Sequence, residues 1–177
     1  MGVKENGNPQ VSKTLRSRFN SYHPPPILTG DNMYDEARQA ILNSSETSSV
    51  YIGADSIRFK KRSEWYAKYS TVIILHMDSK HGGKIFSRNI EMRDFGNLRQ
   101  RLIAEAGFAI EAATAILDVI GKRKLEIHLD LNPNPRYKSN IAVKEALGYV
   151  KGSTGIDAKV KPDSFAATHA ADHVVRG

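Results

Sequence analysis

Cysteine is missing from all 177 positions, which removes disulfides, zinc–thiolate sites and a cysteine nucleophile from consideration. Long apolar runs are missing too, so no segment suits a bilayer crossing. The first residues, Met-Gly-Val-Lys-Glu-Asn, lack the basic-then-apolar order of a signal peptide. Asn6 stands where a myristoylation motif needs Ser or Thr. Internal repeats are also absent. These absences lead to the expectation of a soluble cytoplasmic protein. Acids are the minority charge: 19 Asp and Glu against 26 Lys and Arg give a net charge of +7 and a pI near 9.6. That balance favours a polyanionic partner such as nucleic acid.

What is present divides unevenly. Residues 1–33 are polar and basic (Lys4, Lys13, Arg16, Arg18) and pass through Pro24, Pro25 and Pro26. They read as an N-terminal arm with extended polyproline geometry, followed by one domain over 34–177. The pattern predicts a helix over 35–43 with Ala37, Ala40 and Ile41 inward. β-Branched and aromatic enrichment predicts strands over 50–59, 65–77 and 84–92, with a turn at His81, Gly82 and Gly83. The period then changes: Leu98, Leu102, Ala109, Ala113, Ile116 and Ile120 recur at helical spacing and Gly121 stops the run. A strand over 125–131, a helix over 140–150, a strand over 158–160 and a helix over 164–175 complete the order β-β-β-α-β-α-β-α. A meander followed by right-handed crossovers gives an α/β fold with a mixed five-stranded sheet flanked by helices.

Two acids each end a hydrophobic strand: Asp55 in Val-Tyr-Ile-Gly-Ala-Asp-Ser and Asp130 in Leu-Glu-Ile-His-Leu-Asp-Leu-Asn. A carboxylate at the end of a buried strand is costly unless its charge is compensated. The predicted order makes these strands central, parallel neighbours, and open α/β sheets place their sites at such carboxyl ends. A divalent cation is the natural compensation, because hard cations such as magnesium take oxygen ligands. Glu105 falls beside the apolar stripe of its helix, three residues after Leu102 and four before Ala109. It either pairs with Arg101, four residues earlier, or turns toward the site. Glu111 projects to the opposite, solvated side. Asp172, inside the last predicted helix, is either a site acid or a solvated helical acid.

The order of elements and the acid series Asp55, Glu105, Asp130, Asp172 resemble the ribonuclease H-like superfamily. Within it the chain is most similar to the bacterial YkuK-like group. The similarity is carried by Ile-Gly-Ala-Asp-Ser at 52–56, Leu-Arg-Gln-Arg-Leu at 98–102 and Ile-His-Leu-Asp-Leu-Asn-Pro at 127–133. Tyr-Lys-Ser-Asn at 137–140 and Val-Lys-Pro-Asp-Ser-Phe-Ala-Ala at 160–167, leading to Asp172, continue it. The resemblance spans roughly 48–176. It implies that Asp55 and Asp130 bind magnesium or manganese, as two ions in the family's manner, with Glu105 and Asp172 completing the shell. Water then attacks a phosphodiester in line, leaving a 5′ phosphate and a 3′ hydroxyl. His169, three residues before Asp172, either assists proton transfer and product release or is a surface histidine.

Departures from other branches of the superfamily narrow the field. Asp55-Ser56-Ile57 lacks the Asp-x-Glu of proofreading-type exonucleases, and His169 and Asp172 do not have the spacing of the histidine-type motif. The ribonuclease H helix also carries its glutamate nearer the helix start than Glu105 lies. Asp163 is either a rival ligand or the N-cap of the last helix. Arg136, Tyr137, Lys138 and Asn140 follow Asp130 and either reach a phosphate or sugar hydroxyl or form a solvated loop. Lys159 and Lys161 share a strand face that can line the cleft. Lys60, Lys61 and Arg62 form a basic turn; Trp65, Tyr66 and Tyr69 either stack bases or pack the strands. Asn132 and Asn134 orient Asp130 or make the turn. The leading expectation is a metal-dependent hydrolase, a nuclease acting on RNA or an RNA–DNA hybrid. The alternatives are a structure-specific or single-strand DNA nuclease, and a catalytically silent nucleic-acid-binding module.

Overall fold

The computed structural model describes residues 28–29, 32–79, 82–94, 96–171, 174 and 176. A two-residue strand, β1 (Leu28–Thr29), precedes helix α1 (Met33–Leu42). The β-branched and aromatic run that follows folds as an antiparallel meander of β2 (Ser49–Lys61), β3 (Glu64–His76) and β4 (Gly83–Arg93). Helix α2 (Leu98–Ile116), strand β5 (Lys124–Leu129) and helix α3 (Asn140–Thr154) follow. The sheet order is β1-β4-β3-β2-β5, with β5 parallel to β2. The crossover through α2 thus sets β5 beside β2, as a strand–helix–strand unit requires.

Strand alternation divides the interior in two. Val50, Ile52 and Ala54 face a main core shared with Leu102, Ala106, Ala109, Ala113 and Ile116 of α2. Small residues on α2 let its backbone approach the sheet closely. Ala142, Ala146 and Val150, one turn apart on α3, bury the second helix of that layer. Tyr51 points the other way and joins a smaller cluster with Val72, Ile74, Ala166, Ala171 and Val174. Asn97 caps α2, its Oδ1 accepting the Gln100 N–H at 3.2 Å. Gly155 ends α3 in the left-handed region, φ 73°, and its N–H donates to the Lys151 carbonyl.

The sheet corrects which of the expected strands form. Of the five strands expected, four form: those over 50–59, 65–77, 84–92 and 125–131. The fifth, expected over 158–160, is reduced to a single bridge between Lys159 and His128. Lys159 exchanges bonds with Leu129 and Ile127, but Pro162 follows shortly after and has no N–H to continue a ladder. The additional sheet member, β1, lies instead on the opposite edge, within the region expected to be an arm. Met33, expected to end that arm, opens α1 and is buried; residues 1–27 lie outside the described residues. The last helix, expected over 164–175, is a wide π-helical segment at Ala166–Ala171. Among the described residues no helix is long and apolar enough to cross a membrane.

Ile52 is fully buried and sits opposite both Ile73 and Ile127. Ile52→Ala is therefore expected to cost about 2–5 kcal/mol. Ile141→Ala, at a position 63% exposed, should stay within about 0.5 kcal/mol. Urea unfolding of the two variants against the parent checks both values.

Candidate functional site

The parallel pairing of β2 and β5 runs from Ser49 opposite Lys124 to Ala54 opposite Leu129. The next residue on each chain is an acid, Asp55 and Asp130. Alternation sends both toward the face that carries Tyr51 and the C-terminal helical segment. Asp55 Oδ1 accepts the Ser56 N–H at 2.8 Å. Asp130 Oδ1 accepts the Thr168 hydroxyl at 2.8 Å and meets Lys161 Nζ at 2.8 Å, with the carboxylate 25% exposed. An ammonium already sits where two like charges converge.

Glu105 comes in from α2. It is only 4% exposed, and Ser56 Oγ donates to its Oε1 at 2.6 Å. Ser56 lies on the opposite face of β2 from Asp55, so Glu105 approaches from the helix side of the sheet. Burial pushes its carboxyl up to about 8. The Ser56 bond and the Arg101 charge pull the other way, while the charges of Asp55 and Asp130 add to the rise. The alternative partner, Arg101, pairs instead with Asp94 at 3.3 Å. Asp94 also holds Arg58 Nε at 2.5 Å and the Gly96 N–H at 2.9 Å. Burial alone would raise the Asp94 carboxyl, but these donors hold it below its ordinary value.

A second polar assembly lies just behind the strand ends. His128 is fully buried, and its Nδ1 accepts the Ala166 N–H at 3.1 Å. Its Nε2 therefore carries the proton and donates to Glu126 Oε2 at 3.0 Å. Lys124 and Lys159 reach the other oxygen of Glu126 at 2.5 and 2.9 Å. Burial would raise Glu126, yet the bonds from His128, Lys124 and Lys159 hold it far below the usual carboxylate range. This assembly anchors the start of the C-terminal segment and so fixes where Thr168 meets Asp130. A signal for it exists in the sequence: Lys124, Glu126, His128 and Asp130 are the alternate residues of an otherwise apolar strand.

The remaining candidates are dispersed. Arg136, Tyr137 and Lys138 are exposed on the loop after Asp130. Asn140 Nδ2 donates to the Pro133 carbonyl at 2.6 Å, and Asn132 and Asn134 accept backbone N–H groups two residues on. Those three side chains make the turn. Asp163 is exposed, with its N–H on the Val160 carbonyl. His169 is exposed on the π-helical segment, and Asp172 lies outside the described residues. Tyr69 is buried against Phe108, which is packing rather than base stacking. Glu111 is on the outer side of α2, paired with Arg88 at 2.6 Å.

Among the described residues, no three His, Asp or Glu side chains gather closely enough to hold a metal ion. The hard oxygen donors of Asp55 and Asp130, with the Lys161 ammonium on one of them, fit a divalent cation that takes its other ligands from water. Glu105 is tied to Ser56 instead.

Comparison with known proteins places the chain. The family model described as ribonuclease H-like matches residues 32–176. An uncharacterized protein, YkuK of Bacillus subtilis (strain 168), is 27% identical over 156 residues, covering 79% of this chain and 87% of that protein. No solved structure matches the chain.

The burial of Glu105 gives the fold a pH dependence. Its folded-state pKa of about 8 exceeds the ordinary 4.5, so between those values the folded protein keeps a proton that the unfolded chain has lost. Stability from this group therefore falls as pH rises from about 4.5 toward 8. In chelator, the melting temperature of Glu105→Gln relative to the parent is expected to rise by roughly 5–10 °C between pH 5 and pH 8. Thermal melts of both proteins at the two pH values check the sign.

Proposed function

The chain belongs to the ribonuclease H-like family, and from that premise we propose that it is a metal-dependent nuclease hydrolysing phosphodiester bonds in RNA or an RNA–DNA hybrid. The observation that carries this reading is the placement of Asp55 and Asp130 just past the last paired residues of two parallel neighbours. A module built only to hold a polyanion has no reason to concentrate acids at the switch point of a basic protein. Magnesium or manganese, as one ion or two, held by Asp55 and Asp130 and, as the family resemblance implies, by Asp172, would supply Lewis acidity toward the phosphate and the attacking water.

The chain's own residues set the conditions for that chemistry. Thr168 orients Asp130 through its hydroxyl. Lys161 neutralises Asp130, and its flexible ammonium would also serve a phosphate oxygen of a bound substrate. Glu105, held by Ser56, supplies a carboxyl that gains or loses its proton near neutral pH. Arg136 and Lys138 stand exposed on the loop after Asp130, where they meet the substrate backbone, and Asn140 keeps that loop in shape. His169, on the exposed side of the segment carrying Thr168, takes the role of releasing product.

A second reading has one observation behind it. Lys161 already compensates Asp130, which suits a nucleic-acid-binding module that keeps the fold without cutting.

Labelled single-stranded RNA, RNA–DNA hybrid and duplex DNA, each with magnesium or manganese, separate these readings. Cleavage of the ribose-containing substrates is expected, and Asp130→Asn should reduce it at least about 100-fold while leaving the far-UV spectrum unchanged. Equal cutting by parent and variant would remove Asp130 from the site. Binding without cutting on any substrate would favour the second reading.

A further inference from the structure

The hairpin joining β2 to β3 carries chemistry that neither the core nor the acid site uses. Its turn begins at Arg62, seven residues beyond Asp55 at the end of the same strand, about 23 Å along an extended chain. Between positions 58 and 68 the sequence places Arg58, Lys60, Lys61, Arg62 and Lys68 against Glu64 alone. Arg62 and Ser63 turn the chain through positive φ values of 49° and 68°, which brings these cations to a tight end.

Aromatic rings are interleaved with that charge. Lys60 is directly opposite Trp65 and Phe59 is opposite Tyr66. Trp65 is 40% exposed, a large apolar ring left in water at a strand end. The Arg58 guanidinium lies 3.9 Å from its centroid and Lys60 Nζ lies 5.2 Å away. On the other face of the ribbon Phe59 and Tyr66 stack at 6.0 Å, with Lys61 Nζ 5.9 Å from the Tyr66 ring. Arg58 is compensated by Asp94 and Lys61 leans at 3.4 Å toward an exposed Glu91. Lys60 rests on an indole, which attracts an ammonium without neutralising it.

We propose that this hairpin docks a single-stranded nucleic acid, with Trp65 stacking an unpaired base and Lys60 and Lys61 meeting the flanking phosphates. The charge is complementary to a polyanion, and an exposed indole beside cations is the pattern by which proteins hold unpaired bases. A duplex keeps its bases stacked inward and cannot use the ring. The inference rests on the nucleic-acid reading above and deepens it by naming an unpaired strand as the ligand.

Trp65 is the only tryptophan of the chain, so selectively excited tryptophan emission reports on the hairpin alone. The full chain, in chelator, is titrated with fluorescein-labelled 12-mers of oligo-U and oligo-dT for anisotropy and with unlabelled 12-mers for emission. Quenching of Trp65 that tracks the anisotropy is expected. Lys60→Ser with Lys61→Ser should weaken binding about tenfold and lower the salt slope by about 1.4. Trp65→Leu should weaken it about five- to hundredfold. Binding by anisotropy with unchanged emission and unaffected lysine variants would overturn the hairpin while leaving the nuclease reading standing. Absence of binding to both 12-mers would overturn the hairpin proposal, and only if RNA and hybrid also go uncut in magnesium and manganese would the nuclease reading fall with it. Equal quenching by a 12-base-pair duplex would overturn the single-strand assignment. Quenching by poly-glutamate and not by oligonucleotides would transfer the surface to an acidic protein.

Discussion

The constraint on which the site depends is the parallel register of β2 on β5. Ala54 opposite Leu129 is the last pair, and an acid follows it on both chains. Because the strands are parallel, the acids leave the sheet together; because the register is in phase, they leave on one face. A slip of one residue would send Asp130 to the α2 side and separate it from Asp55. The apolar pairs Val50–Leu125 and Ile52–Ile127 hold that register from the core side. Hydrophobic burial therefore fixes the distance between two charges that would otherwise avoid each other. Lys161, on Asp130, is the compensation that the chain itself supplies.

The same strand solves a second problem. Apolar packing of the C-terminal segment is non-directional, so a directional anchor is needed to bring Thr168 to Asp130. His128 provides it by accepting the Ala166 N–H while donating to Glu126, and Lys124 and Lys159 keep Glu126 ionised in partial burial. A buried polar group is tolerable only when its bonds are made, and here both ring nitrogens of His128 are used. Glu105 has fewer compensations, with near-complete burial, a single short bond from Ser56 and two nearby acids, Asp55 and Asp130, opposing its charge. Its displaced pKa follows from that shortage.

Most of the sheet was legible because local pattern and tertiary role agree. β2, β3 and β4 are strands by residue type and by a glycine-rich turn, and α2 by its stripe of buried alanines and leucines. Legibility failed where a few residues depend on a distant partner. β1 is two residues long and has no period to detect. The segment at 158–160 has strand-like alternation, but one bridge is all that its neighbour and Pro162 permit. For the site, the strand-end acids were visible because charge after an apolar run is conspicuous. The Arg101 alternative for Glu105 followed helical spacing, yet Asp94, delivered from the end of β4, captures Arg101 instead. Ser56 and Thr168 escaped notice because a hydroxyl beside an acid is common, and only folding shows which ones face a carboxylate.

The most direct measurement of whether the paired acids form a cation site is calorimetric titration of manganese into the purified protein at neutral pH, beside Asp55→Asn and Asp130→Asn. Saturable binding by the parent that is lost in both variants, with folding retained, is the predicted result. Equal manganese binding by all three proteins would contradict a site built on these two strand ends.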